Sequence, residues 1–298
     1  MQKTTVTAVI VTFNRLEKVK HTIDHVLAQT HPIEQVVIID NASTDGTDEY
    51  LAELAANNPK IQNIRSKENT GGAGGFNKGI REAYQTGADM IWVMDDDCYA
   101  YPDALEKLVA GYEGAAEKSG FVPGFACSLV KWHDDLCEMN IPEPVWDWPR
   151  HYDPEKRQYM LIKHCSFVSV LIPRGKVKQV GLPISEFFIW FDDVEYTKRL
   201  ARGYPGIYVL DSLVHHDLEK NEGVNFGLVN KGNLWKYRYG ARNQAYYHKT
   251  LGFWDWFSYA VNRNMQMKRY KLPLSLRWEL NKAMINGLFM KVKKETVE

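Results

Sequence analysis

Ile91-Trp92-Val93-Met94-Asp95-Asp96-Asp97 joins four apolar residues to three consecutive carboxylates. Such a run suits a strand buried on both faces, as in a parallel sheet covered by helices, and three acids cannot lie inside that core. The acids must therefore stand at the strand's carboxyl end, where open α/β sheets hold ligands in a crevice beyond the strand tips. Alternate residues of an extended chain point the same way, so Asp95 and Asp97 share a face. A divalent cation that prefers oxygen ligands, Mg²⁺ or Mn²⁺, would offset the repulsion of the crowded charges and also grip a diphosphate. An isolated triplet is more often a solvated turn, here with Asp97 or Asp103 capping a helix that opens near Pro102.

The preceding residues shift that balance. Val6 to Val11 reads as an apolar strand, followed by Thr12-Phe13-Asn14-Arg15 and an amphipathic helix to about Ala28. Val36 to Ile39 is a second buried strand that ends in Asp40-Asn41, and the turn formers Ser43 to Gly46 lead into a helix over roughly Asp48 to Ala56. A short strand at Ile61 to Arg65 precedes Asn69-Thr70-Gly71-Gly72-Ala73-Gly74-Gly75, a glycine loop that lets backbone N–H groups approach a ligand before a helix from about Gly75 to Thr86. The loop fits neither a triphosphate-binding nor a dinucleotide-binding fingerprint, and a mobile linker is its plain alternative. Strand and helix have alternated four times by Asp97, which with right-handed crossovers predicts a mostly parallel sheet with helices on both faces.

Beyond a helix at Pro102 to Lys118, Phe121 to Val130 reads as a strand. Residues 131–158, with Pro142, Pro144 and Pro149 among Trp132, Trp146 and Trp148, read as a long loop whose aromatics either stack on a sugar or fill a core gap. Leu161 to Pro173 alternates like one strand, and Arg174 to Val180 is a short helix. The run Phe187 to Phe191 then delivers Asp192-Asp193 to a helix start, where the dipole favours acids. One of them is explained as a cap, and Asp193 beside an aromatic wall is a candidate general base. Ile207 to Leu210 is a last strand, after which His215 and His216 are candidates to complete an oxygen-rich metal site.

The composition is that of an ordinary globular chain of 298 residues, 45% hydrophobic and 25% charged. Its net charge of zero hides a split: residues 231–298 carry 14 Lys and Arg against 4 Asp and Glu (+10), leaving 23 against 33 (−10) in 1–230. The basic end holds Trp235, Trp254, Trp256 and Trp278, and it meets an anionic surface or is a helical appendage with solvated charges. Cys98, Cys127, Cys137 and Cys165 lack metal-finger spacing, which suits free thiols in a reducing compartment. The absence of a leader-like start and of an apolar run of ~18 residues weighs against export and membrane spanning.

Taken in order, Val11 to Arg15, Asp40 to Thr47, Asn69 to Gly72, Met94 to Asp97, Trp190 to Glu195 and the histidines after Val214 resemble the motifs of the nucleotide-sugar-dependent glycosyltransferases of family 2. Each is weak alone, and their joint occurrence over residues 6 to about 217 is specific. The resemblance implies a GT-A fold over residues 1–230, with a nucleotide-binding half to about 100 and an acceptor half beyond, followed by a helical extension over 231–298. It implies that Thr12, Asn14 and Arg15 line the nucleotide crevice, that Asp40 hydrogen-bonds the base, and that Asn69, Gly71 and Gly72 lie against the nucleotide. Asp95, near the ribose, and Asp96 belong to the same set. Asp97 would bind Mn²⁺ or Mg²⁺ with His216, or less readily His215. Asp193 would be the catalytic base, with Trp190 and Asp192 toward the acceptor. Asp192 stands where many members have Glu, and the triplet where many have Asp-x-Asp.

The pattern is most similar to the galactofuranosyl- and rhamnosyltransferase branch. That implies a UDP- or dTDP-linked donor, an inverting single displacement, and a glycan or polyprenyl-diphosphate-linked acceptor in cell-surface polysaccharide synthesis. Such an enzyme would be cytoplasmic, with residues 231–298 either resting on the inner membrane face or forming a homodimer contact. A non-catalytic sugar-nucleotide binder and a nucleotidyltransferase are the alternatives. The latter wants a basic, glycine-rich signature after the first strand, which Thr12 to Arg15 lacks. The tail shows no nucleic-acid-reading motif.

Overall fold

A computed structural model describes residues 3–119, 122–150 and 159–298. Strands β1 (Val6–Thr12), β2 (Gln35–Asp40), β3 (Ile61–Arg65) and β4 (Met90–Asp95) are linked by helices α1 (Leu16–Leu27), α2 (Thr47–Asn57) and α3 (Gly71–Gln85). They lie side by side in the order β3-β2-β1-β4, all parallel. Alternate residues of β1 feed two separate apolar layers, Ala8 and Ile10 on one face and Val9 and Val11 on the other. This burial on both faces is why β1, β2 and β4 read as continuous apolar runs, while β3 at the edge does not.

The rest of the sheet is built from β5 (Cys98–Ala100), β6 (Ala126–Trp132), β7 (Asp135–Leu136), β8 (Glu143–Pro144), β9 (Tyr159–His164), β10 (Val170–Pro173) and β11 (Gly206–His216). Helix α4 (Ala104–Ser119) precedes β6, and α5 (Arg174–Val180) and α6 (Asp192–Leu200) precede β11. The order continues β4-β10-β6-β11-β9-β8, with β10 antiparallel to both neighbours and β6 parallel to β11. Parallel pairing thus dominates up to β4, and the second half is mixed.

Three local expectations change. The glycines expected in a loop form the first turns of α3, which starts at Gly71 rather than Gly75. The single strand expected over Leu161 to Pro173 is two, β9 on β11 and β10 between β4 and β6. β10 is a continuous apolar run, Val170 to Ile172, between two neighbours, and the two halves are separated only by the short turn at Cys165 to Ser169, which carries no Gly or Pro to mark the break. The last strand runs on to His216 past an irregularity between Val209 and Leu213, so the histidines lie in it and not after it. Phe121, the expected start of a strand, and residues 151–158 of the long loop lie outside the described residues.

Helices α7 (Leu234–Leu251), α8 (Phe253–Arg269) and α9 (Leu274–Phe289) pack around a cluster of their own that includes Tyr237, Ala245, Met267, Leu280 and Met284. The segment after α9 returns to the sheet domain, where Leu182 N–H donates to Glu295 O at 2.9 Å and the Glu295 carboxylate pairs with Arg81. Among the described residues no helix is long and apolar enough to cross a membrane.

Candidate active site

The acid triplet emerges where β4 ends and β5 begins, and β5 pairs antiparallel with the end of β11 so that Cys98 faces His216 in register. Asp217 N–H donates to Asp97 O at 2.9 Å, closing the corner. This pairing gathers one ligand atom each of Asp95, Asp97 and His216 within 4.8 Å of one another, a group able to hold a divalent cation. His216 Nε2 lies 3.2 Å from Asp97 Oδ1. His215, one residue earlier in an extended strand, points the opposite way, toward Tyr99 and His133, and is outside the group.

The three acids differ in partners. Asp96 is tied down by Thr12 Oγ1 at 2.7 Å and Arg15 Nη1 at 2.9 Å, so Thr12 and Asp96 brace each other. Arg15 Nη1 also reaches Asp97 Oδ2 at 2.9 Å, and Lys18 Nζ lies 3.7 Å from the same oxygen. Burial would raise Asp97, but the His216 hydrogen bond and the nearby positive charges outweigh it and lower its pKa. Asp95 has no such bond, and burial followed by repulsion from Asp97 pushes it up to about 7. Asp95 is thus the acid with most to gain from a bound cation.

Asp193 is the second residue of α6; its Oδ1 accepts the Val194 N–H at 2.7 Å, and burial pushes it up to about 6. Asp192 is buried, and burial, then Asp193, then Asp95 raise it well above the usual carboxylate range. Asp95 is among the charges that raise Asp192, so the tip of β4 and the start of α6 lie near each other. The turn between β9 and β10 spans them. Phe167 N–H supports Asp193, Val168 O accepts from Cys98 Sγ at 2.6 Å, and Ser169 Oγ accepts from Trp92 Nε1 at 2.9 Å.

Asn14, at φ 51°, accepts Thr44 N–H at 2.7 Å, which docks the β1 turn on the β2 turn. Asp40 Oδ1 accepts Ser43 N–H at 3.0 Å, while Oδ2 is buried without a partner. Asn69 Oδ1 accepts Gly71 N–H at 2.8 Å. Gly71 has φ +71°, and a Cβ there would strike the carbonyl of Phe188. A Cβ on Gly75 or Gly79 would meet Val11 or Val9, so those glycines serve helix-to-sheet packing. Gly72 alone of the first-turn glycines has open space around it.

Residues 7–181 match the protein family described as Glycosyl transferase family 2. The chain belongs to that family. This family-2 glycosyltransferase is 32% identical over 225 residues to a galactofuranosyltransferase, GlfT1, of Mycobacterium tuberculosis, covering 72% of this chain and 71% of that protein. It is 37% identical over 224 residues to GlfT1 of Mycolicibacterium smegmatis, covering 70% of each. Two solved structures share the GT-A fold. GalNAc-T7 with UDP, GalNAc and Mn²⁺ superposes with a TM-score of 0.61 at 16% identity, over 81% of this chain and 47% of that one. The mannosyltransferase PcManGT of Pyrobaculum calidifontis with GDP-Man and Mn²⁺ gives 0.55 at 17%, over 96% and 74%.

Two supporting residues of the glycosyltransferase carry no motif in its sequence. Asn140, from the unassigned long loop, places Oδ1 2.7 Å from His216 Nδ1 and donates to Ser166 Oγ at 2.7 Å, with Cys137 Sγ 2.9 Å from the same Oδ1. An amide oxygen only accepts, so His216 Nδ1–H donates to Asn140, which leaves Nε2 facing Asp97; in the charged ring its N–H donates to that carboxylate, and in the neutral ring its lone pair is open to a cation. Asn243, fully buried on α7, shares its amide hydrogens among the carbonyls of Phe187, Ile189 and Trp190 at 3.0, 3.1 and 2.8 Å. That loop needs holding, because Phe188, Trp190 and Phe191 all have positive φ. Trp190 itself packs edge-on against Tyr237 of α7, 4.8 Å between ring centres. Neither asparagine belongs to a motif, and each is found only through what it touches.

Proposed function

We propose that this glycosyltransferase is inverting and metal-dependent and moves galactofuranose, or alternatively rhamnose, from a UDP- or dTDP-sugar to a hydroxyl of a glycan or polyprenyl-diphosphate-linked acceptor. The observation that carries the reading is the convergence of Asp95, Asp97 and His216 at the strand tips, with Asp192 near enough for the Asp95 charge to raise it. Two carboxylates and an imidazole whose other nitrogen is already committed to Asn140 suit Mn²⁺ or Mg²⁺, with the imidazole inclining the set to Mn²⁺. Held by Asp95, Asp97 and His216, such a cation would supply charge to offset that of a departing diphosphate. Support for galactofuranose comes from the relatives named as galactofuranosyltransferases. The buried, unpartnered oxygen of Asp40 fits the ring N–H of a uracil or thymine base.

The chain's own residues supply the remaining steps. Arg15 and Lys18 place positive charge beside Asp97, and the open side of Gly72 at the N-terminus of α3 lets a phosphate come close. Asp193, charged, takes the proton of the acceptor hydroxyl as its oxygen attacks the anomeric carbon from the face opposite the diphosphate. One displacement leaves the configuration inverted, with no covalent sugar on the enzyme. Trp190 on the strained loop and Asp192 at the start of α6 border the acceptor side.

Residues 1–230 form the catalytic unit in this reading and 231–298 its extension, which rests on the inner face of a membrane. Its basic charge and the exposed Trp254, Phe257 and Trp278 support that contact, and four free buried cysteines suit a cytoplasmic setting. The decisive assay offers UDP- and dTDP-sugars, with Mn²⁺ and then with Mg²⁺, and follows nucleoside diphosphate release and product anomeric configuration. Retention of configuration, or release unaffected by chelation, would overturn the reading. Flotation with anionic and neutral vesicles tests the membrane contact, and a dimer that leaves both unbound would replace it.

A further inference from the structure

Of the 22 large apolar side chains exposed among the described residues, 12 lie in 231–298, so this exposure is concentrated in the extension. On α8 they recur at helical spacing: Phe253, Phe257, Val261 and Met265. Between α8 and α9 the stripe opens into a groove of about 470 Å³, walled by Trp256, Phe257, Val261, Met265, Lys268 and Arg277. Two N–H donors in those walls, Trp256 Nε1 and Arg277 Nε, are buried without a hydrogen-bond partner. Among the described residues no acid is paired with Arg277 or Lys268. A groove that is apolar along its length and carries unsatisfied donors and two cations is complementary to a chain with an anionic head.

We propose that this groove binds a single anionic phospholipid drawn from a bilayer. The phosphate takes the guanidinium of Arg277, the ammonium of Lys268 and the indole N–H of Trp256, and an acyl chain runs along Phe257, Val261 and Met265. The exposed aromatic stripe favours a bilayer lipid, because the groove opens on the face that would lie against the headgroups. This deepens the membrane reading given above and is independent of sugar transfer. Surface contact spreads over many basic residues and is not saturable by one dissolved lipid, whereas the groove is.

The test titrates the full chain with dihexanoylphosphatidylglycerol below its micelle concentration and follows heat and tryptophan fluorescence. One saturable site is expected, with dihexanoylphosphatidylcholine weaker and inorganic phosphate unbound. Trp256→Phe removes no charge and Arg277→Met keeps much of the bulk; each is expected to weaken binding about tenfold or more, the scale of losing a hydrogen bond to a charged group. Met265→Glu, at the exposed mouth, should give a similar loss without touching the buried donors, which covers the case of a misfolded Arg277 variant. Absence of saturable binding by the unmodified chain overturns the proposal, as does full affinity in folded Trp256→Phe and Met265→Glu proteins. Binding of farnesyl phosphate with none of the phosphatidylglycerol would overturn the choice of a bilayer lipid. Flotation on anionic vesicles without a saturable site would leave the membrane contact standing and remove the groove.

Discussion

Asp193 and Asp97 carry opposite displacements from the ordinary carboxylate, and those displacements suit different work. Burial holds Asp193 up at about 6. A base must be charged, so kcat/KM should fall as pH drops below about 6, where a solvated carboxylate would keep working to ~4. Asp193→Asn should keep nucleotide affinity and cut kcat by a factor on the order of 10²–10⁴, the span of general-base assistance. Undiminished transfer would move the base elsewhere. Asn140 touches His216 and none of the acids. Asn140→Ala should therefore weaken Mn²⁺ binding by about 10- to 100-fold, read by titration calorimetry without any sugar present. Asp97→Ala should weaken it further, and Asn140→Ala with unchanged Mn²⁺ affinity would show that the imidazole is oriented by something else.

At the scale of elements, the start of α3 separates two uses of glycine that its sequence does not distinguish. Gly71 combines φ +71° with a Cβ position inside the carbonyl of Phe188, so Gly71→Ala should cost about 1–3 kcal/mol in urea unfolding. Gly72→Ala meets open space in a helix and should change stability by less than about 1 kcal/mol. A rise in donor KM in the Gly72 variant would then report close approach of the nucleotide, and an unchanged KM would leave Gly72 without a ligand. β11 shows the matching point for a strand: alternation sends His216 to the acids and His215 to Tyr99, so the adjacent histidines are not interchangeable.

Across the whole molecule, the extension reaches back to the loop that leads into α6. Asn243 and Arg242 of α7 hold the carbonyls of the strained loop, Arg242 Nη2 lying 2.6 Å from Glu186 O. Removing the amide by Asn243→Ala would leave buried carbonyls unmet, at about 1–3 kcal/mol of stability. With the loop less fixed, kcat should drop about tenfold or more while donor KM moves little, since the proposed nucleotide site lies at the ends of β1 and β2 and the start of α3. An equal change in both would mean that the residue acts through global stability alone. Glu295, paired with half-exposed Arg81, contributes less, and Glu295→Gln should cost under about 1 kcal/mol and vanish at high salt.

Alternating strands and helices, the acids at the tip of β4 and the paired acids opening α6 were legible in the chain itself, because burial on two faces and helix-start electrostatics leave local, periodic marks. Three-dimensional packing decided the rest. The β5–β11 pairing selects His216, the β9–β10 break places β10 between β4 and β6, and Asn140 and Asn243 reach their targets across 76 and 56 positions of chain at most. Contacts of that separation are fixed by which strands and helices end up adjacent, and no window of sequence records it.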